Sequence, residues 1–378
     1  METTLAVIVE NLAPTNGATL TPVWVGFHNG QFDNYNRGEV IPAGFEALAE
    51  DGNTAEVSAQ FASSGFGAVD GTLGGSPFGP TGIASGFFTV NSTDANARYF
   101  NYASMIVPSN DTWIANGNPL ARQVFDDSGN FTPLDFIVAG SSAVDAGTEV
   151  NDEIPANTAF FGQQTPNTGT DENGVVTGAT GLQPAGSGGI LDDPRFANAN
   201  YVDYDVARIV VTELNSGDGA ANNLTGTDGV DMIIGLDGND TLTGAGSLDV
   251  LAGNAGNDVI NGGAGNDLLR GGQGNDVING GIDSDIIWGD RGSDTLTGGA
   301  GSDSFVFRSG DGSDVITDFL PGVDDFTLSG GLTFSDLTIT EQSGNAVVSV
   351  TSTAEVLATL TGVAASELSS TNFVIDFR

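Results

Sequence analysis

Nine aspartates recur at an unbroken interval of nine residues: Asp231, Asp240, Asp249, Asp258, Asp267, Asp276, Asp285, Asp294 and Asp303. Neither a helical period nor a heptad produces that interval. The neighbours repeat with the aspartates. Five residues before each stands a glycine (Gly226, Gly235, Gly244, Gly253, Gly262, Gly271, Gly280, Gly289, Gly298), and two after it a large apolar residue (Ile233, Leu242, Leu251, Ile260, Leu269, Ile278, Ile287, Leu296, Phe305). The segment is a one-dimensional repeat, and a disordered acidic linker would not need apolar residues locked in phase with its acids.

The physics of one unit follows from its residues. Glycines before the aspartate allow positive φ, so the chain can turn tightly and aim carbonyl oxygens inward. Each nonapeptide then reads as a turn followed by a short strand, whose apolar residue points into the coil and stacks on its equivalents. Carboxylates and carbonyls stacked in register make cages of hard oxygen ligands. These suit Ca²⁺ better than Zn²⁺, which prefers nitrogen and sulfur. If successive nonapeptides alternate sides of a flattened coil, nine turns divide into five and four, and ions between same-side turns number about seven, four plus three.

The segment resembles the RTX repeat, G-G-x-G-x-D-x-(large apolar)-x. The full form stands at residues 262–267, 271–276 and 298–303. Ser247 and Asp283 replace the glycine two before the aspartate, and Thr227, Leu236, Ala245, Asn254 and Asp290 replace the second glycine, so those turns should bind less well. The resemblance implies a parallel β roll loaded with several Ca²⁺ ions, and secretion by the type I machinery under an uncleaved C-terminal signal. A metal-free polyanion with so thin a core would cross unfolded and fold on Ca²⁺ outside the cell.

Charge and composition point the same way. There are 49 acidic residues against nine basic ones, for a formal charge of −40, which repels nucleic acid and anionic lipid surfaces. With no cysteine, neither disulfides nor thiolate metal sites are available, and calcium is the expected staple. The opening METTLAVIVE has no basic flank or long apolar run, and no segment is apolar enough for a membrane span, so an N-terminal export signal and a membrane span are not expected.

Residues 1–212 are long enough for a domain with its own core. Apolar runs at 5–9, 22–27, 85–90, 103–107 and 207–212, separated by Gly, Pro, Asn and Asp, predict an antiparallel β sandwich, with one helix at 42–50 where Phe45, Leu48 and Ala49 share a face. Residues 213–225 read as a polar linker, 226–306 as the roll, and 307–378 as β strands capping its open end. The cap also resembles the segment that follows the repeats in secreted RTX proteins; an ordinary cap with no signal role is the alternative.

The strings LTPVWVGFHNG at 20–30, GFEALAEDG at 44–52, VPSNDTW at 107–113 and DAGTE at 145–149 are similar, in order, to the spondin domain. That resemblance implies an extracellular sandwich of matrix and adhesion proteins with a calcium site among loops at one end, held by Asp111 and Asp145 with Glu149 as a third ligand. The bland reading of each acid is a turn or helix cap.

Catalytic signatures are missing. The chain has one histidine, His28, so no H-E-x-x-H, and no G-x-S-x-G. His28, beside Phe27, reads as a packing or hydrogen-bonding residue. The expectation is an all-β, secreted or surface-bound, non-enzymatic calcium protein that recognises an extracellular glycan or protein. The alternatives are a glycan-processing enzyme with its site in residues 1–212, or a structural spacer of a surface layer or matrix.

Overall fold

The computed structural model describes residues 1–107 except 15, 38 and 81, then 112–146, 176–179, 198 and 200–375. They form two compact units, Met1–Glu213 and Leu214–Arg378.

The first unit is built on two antiparallel sheets. One runs in the order Ile83–Asn91, Glu2–Asn11, Asp205–Ser216, Leu134–Ala139. The other runs Gly67–Leu73, Val23–His28, Tyr99–Val107, Thr112–Ala115, Val144–Asp145, Thr177–Gly178. Alternation decides which residues meet between them: Leu5, Val7 and Val9 share a core with Val23, Val25, Phe27, Phe100 and Ile209. Trp24, pointing the other way, joins Trp113, Phe45, Leu48, Val57 and Phe61 in a second core.

That second core is roofed by two helices. Helix α1 (Ala43–Asp51) starts after Pro42, whose fixed φ suits a helix entrance, and stops at Gly52 with φ 68°. Helix α2 (Ala55–Ser64) was not expected. Its only periodic signal is the pair Val57 and Phe61, one turn apart and both buried.

The second unit carries a parallel β-solenoid over residues 214–328. Met232–Asp237, Val250–Ala255, Leu268–Gln273, Ile286–Arg291 and Ser304–Phe307 stack in one sheet. Asn223–Thr225, Thr241–Gly246, Val259–Ala264, Val277–Ile282 and Thr295–Ala300 stack in the other. Successive nonapeptides therefore alternate sides. The apolar residue of every repeat is buried, at most 1% exposed, in a single cluster, and the other inward position is the repeat glycine, which keeps the core one side chain thick.

Two boundaries differ from the sequence reading. Residues 213–225, read as a linker, contain first rungs of both sheets: Leu214, Asn215 and Ser216 pair with Met232, Ile233 and Ile234, and Asn223–Thr225 pairs with residues 241–243. The parallel stack also runs past 306. Asp314–Ile316 and Asp325–Leu328 add one more rung to each sheet, because Ile316 and Phe326 supply the same inward apolar residue. An antiparallel meander (Leu337–Gln342, Asn345–Val350, Val356–Leu360) and Phe373–Ile375 then cover the end, with Val348, Leu360 and Phe373 joining the roll core.

Candidate metal centre

Each turn of the roll places its aspartate beside the backbone of the coil before it. Oδ1 of Asp249, Asp258, Asp267, Asp276, Asp285 and Asp294 accepts the N–H of the aspartate 18 residues earlier at 2.7–2.8 Å, and Asp303 accepts from Asp285 at 2.9 Å. The second carboxylate oxygen is different. Oδ2 of Asp240, Asp249, Asp258, Asp267, Asp276, Asp285 and Asp294 is buried with no hydrogen-bond partner, although such an oxygen costs about 1–3 kcal/mol or more when unsatisfied.

The repeat glycine explains what these oxygens face. A Cβ on Gly244, Gly253, Gly262, Gly271 or Gly280 would stand 2.2–2.3 Å from its own aspartate's Oδ2 and 2.6–2.7 Å from the carbonyl oxygen of the glycine 18 residues on. An anionic oxygen and a neutral carbonyl oxygen thus converge in a cradle that only a glycine leaves open. Among the described residues no three His, Cys, Asp or Glu side chains gather at one point, so carbonyls must supply much of any ligand set. All-oxygen, part-carboxylate donors are the chemistry of Ca²⁺, and the ladder of buried aspartates fits several such ions. When bound, the ion would supply the positive charge that these carboxylates lack and tie one coil to the next.

Electrostatics agree with the geometry. Burial, followed by smaller contributions from neighbouring acids, pushes Asp249 and Asp285 up to about 8, and Asp267 and Asp276 up to about 7. Asp294 rises to about 7 and Asp303 to about 6 for the same leading reason. Backbone donors pull each back down but do not cancel the desolvation.

The turns that depart from the motif hold the same backbone shape under strain. Leu236, Ala245, Asn254 and Asp290 have φ between 61° and 99°, where complete repeats have Gly263, Gly272 and Gly299. Ser247 and Asp283 likewise sit at 68° and 76°. Side chains resist that region, which is the physical content of the expectation that these turns bind less well. Beside the acids runs a second ladder, in which Asn239 Oδ1 accepts from Asn257 N, Asn257 from Asn275 N and Asn275 from Ser293 N.

The remaining sequence candidates fall out as follows. Asp231 is only half-buried, and its Oδ2 accepts from both N and Oγ1 of Thr227, at 2.6 and 2.9 Å. Asp145 lies half-buried in a strand between Thr112 and Thr177. Asp111 and Glu149 lie outside the described residues. His28 is fully buried, its Nδ1 accepts from Gly30 N, and burial lowers it to about 4, an arrangement suited to packing against Phe32 and Tyr99.

Two acids escaped the sequence reading. Asp314 and Asp324, 3% and 4% exposed, occupy the next rungs of the ladder, accepting from Asp294 N and Asp303 N at 3.0 Å. Their spacings are 20 and 21 residues instead of 18, so a search at fixed interval passes over them. The local signal was present: Gly312-Ser313-Asp314-Val315-Ile316 and Gly322-Val323-Asp324-Asp325-Phe326 keep the G-x-D-x-apolar end of the motif.

Residues 216–251, 243–278, 271–305 and 279–316 match the family model of the RTX calcium-binding nonapeptide repeat. No curated protein matches the chain. Among solved structures, the extracellular lipase of Serratia marcescens aligns at 17% identity over 44% of this chain and 40% of the lipase, with a TM-score of 0.22. A subunit of the Azotobacter vinelandii mannuronan C5-epimerase aligns at 24% identity over 42% of this chain and 80% of that one, with a TM-score of 0.20. The chain thus spans less than half the length of the lipase it matches.

Proposed function

We propose that this is a secreted calcium-binding protein in which the roll folds on extracellular Ca²⁺ and residues 1–212 serve as a recognition or adhesion module for a glycan or protein ligand. The observation that carries the calcium half is the set of seven buried carboxylate oxygens without partners. At neutral pH and above a cation offsets their cost, and folding is thereby coupled to a metal abundant outside cells. The match of residues 216–316 to RTX repeats supports secretion, for which the type I route is the reading. No helix among the described residues is long and apolar enough to cross a membrane.

The adhesion half rests on the spondin-like strings, and with it comes one further ion at Asp111, Asp145 and Glu149. Calcium-loaded full-length protein should bind immobilised polysaccharides or cell surfaces and lose that binding in chelator. Turnover of a glycan panel without retention on any surface would move the reading to the enzymatic alternative, and calcium-dependent self-assembly with no other ligand would move it to a structural spacer.

A further inference from the structure

We infer that the metal ladder leaves the nine-residue register on one side of the roll, with Asp294 and Asp314 sharing a cation, while the other side is closed by the protein itself at Asp324. The inference rests on the calcium reading of the roll and assigns a ligand that the repeat spacing does not.

Asp294 is 1% exposed and its Oδ2 has no hydrogen-bond partner. In the coil that follows stands Asp314, 3% exposed, whose Oδ1 accepts Asp294 N at 3.0 Å. Asp240, Asp258 and Asp276 in the same column present the same buried, unpartnered Oδ2, so the rung formed by Asp294 and Asp314 continues their cradles.

The opposite column ends differently. Asp303 N donates to Asp324 Oδ1 at 3.0 Å, as the ladder requires, but Asp324 Oδ2 accepts Leu320 N at 2.7 Å. Both oxygens are therefore engaged by backbone donors. The same closure occurs at the first turn of that column, where Thr227 takes Asp231 Oδ2. Buried oxygens without a partner thus number four on the Asp294 side, the last of them in the rung next to Asp314, and three on the other, at Asp249, Asp267 and Asp285.

The test uses the full chain loaded with Ca²⁺. Native mass spectrometry should find one ion fewer on Asp314→Asn than on the wild type, and the wild-type number on Asp324→Asn. An unchanged count on Asp314→Asn overturns the inference. Should that variant not fold, the anomalous scattering map of wild-type crystals decides: a peak is expected between Asp294 and Asp314 and none between Asp303 and Asp324. Peaks at Asp240, Asp258 and Asp276 without one at Asp294 defeat this inference alone, while no peaks anywhere on the roll defeat the calcium reading with it.

Discussion

A single methyl group tests the cradle. Alanine at Gly271 would place Cβ 2.3 Å from Asp276 Oδ2 and 2.7 Å from the Gly289 carbonyl, so the ligand oxygens must separate. We expect Gly271→Ala to cost about 1–3 kcal/mol of calcium-loaded stability, as overpacking does, read as a shift of the calcium midpoint. Gly246→Ala is the control, since its Cβ would meet Asp228 only at 3.5 Å; equal effects would mean that the glycines matter for chain flexibility and not for the cradle. The reverse change is available at Leu236, held at φ 77° and 44% exposed. Relief of left-handed strain, roughly 1–2 kcal/mol, less the entropy of a new glycine, leaves Leu236→Gly more stable by about 0.5–1 kcal/mol. A lower melting temperature in calcium would contradict it.

For the roll as an element, acid and calcium should act as rivals for the same oxygens. The aspartates at about 6 to 8 lie above the ordinary carboxylate value of 3.8 because they are buried. Groups raised in the folded state contribute stability that is fully present below the unfolded value and lost as pH rises through the folded one. In chelator, the β-sheet circular dichroism of the roll should therefore grow as pH falls from about 8 to 4, and in calcium the midpoint concentration should rise over the same descent, because protons displace the ion. A calcium midpoint independent of pH would show that other groups hold the ion. At neutral pH the transition is expected near 10⁻⁴ to 10⁻³ M Ca²⁺, about the range of extracellular modules, with Mg²⁺ ineffective because it demands tighter octahedral geometry.

At the scale of the whole chain, the two units have different sources of stability. The first encloses large side chains such as Trp24, Phe27, Phe100 and Trp113 in its own cores, and each nonapeptide of the roll buries one repeat apolar residue. Hydrogen exchange on the intact protein should show residues 232–307 losing protection when calcium is chelated, while the strands Glu2–Asn11 and Tyr99–Val107 keep theirs. Simultaneous loss in both would mean that the first unit depends on the metal of the second.

The period, the inward apolar residue and the oxygen chemistry of the sites were legible in the chain because each is carried by nine consecutive residues and repeated. Both sheets of the first unit were legible in outline for a similar reason: residues 5–9, 23–27 and 207–212 advertise strands by local composition. What only the folded chain decided is which distant groups meet. The partner of each carboxylate lies a full coil away, so insertions of two and three residues hid Asp314 and Asp324 from any count of spacing. Helix α2 is set by the core it shares with Trp24 and Phe45, and its own sequence offers little more than Val57 and Phe61. Whether an aspartate's second oxygen is engaged by the protein depended on one backbone N–H, that of Thr227 or Leu320, placed by the turn around it. Local pattern encodes what a residue can do, and the packing of neighbouring coils determines what it is left free to do.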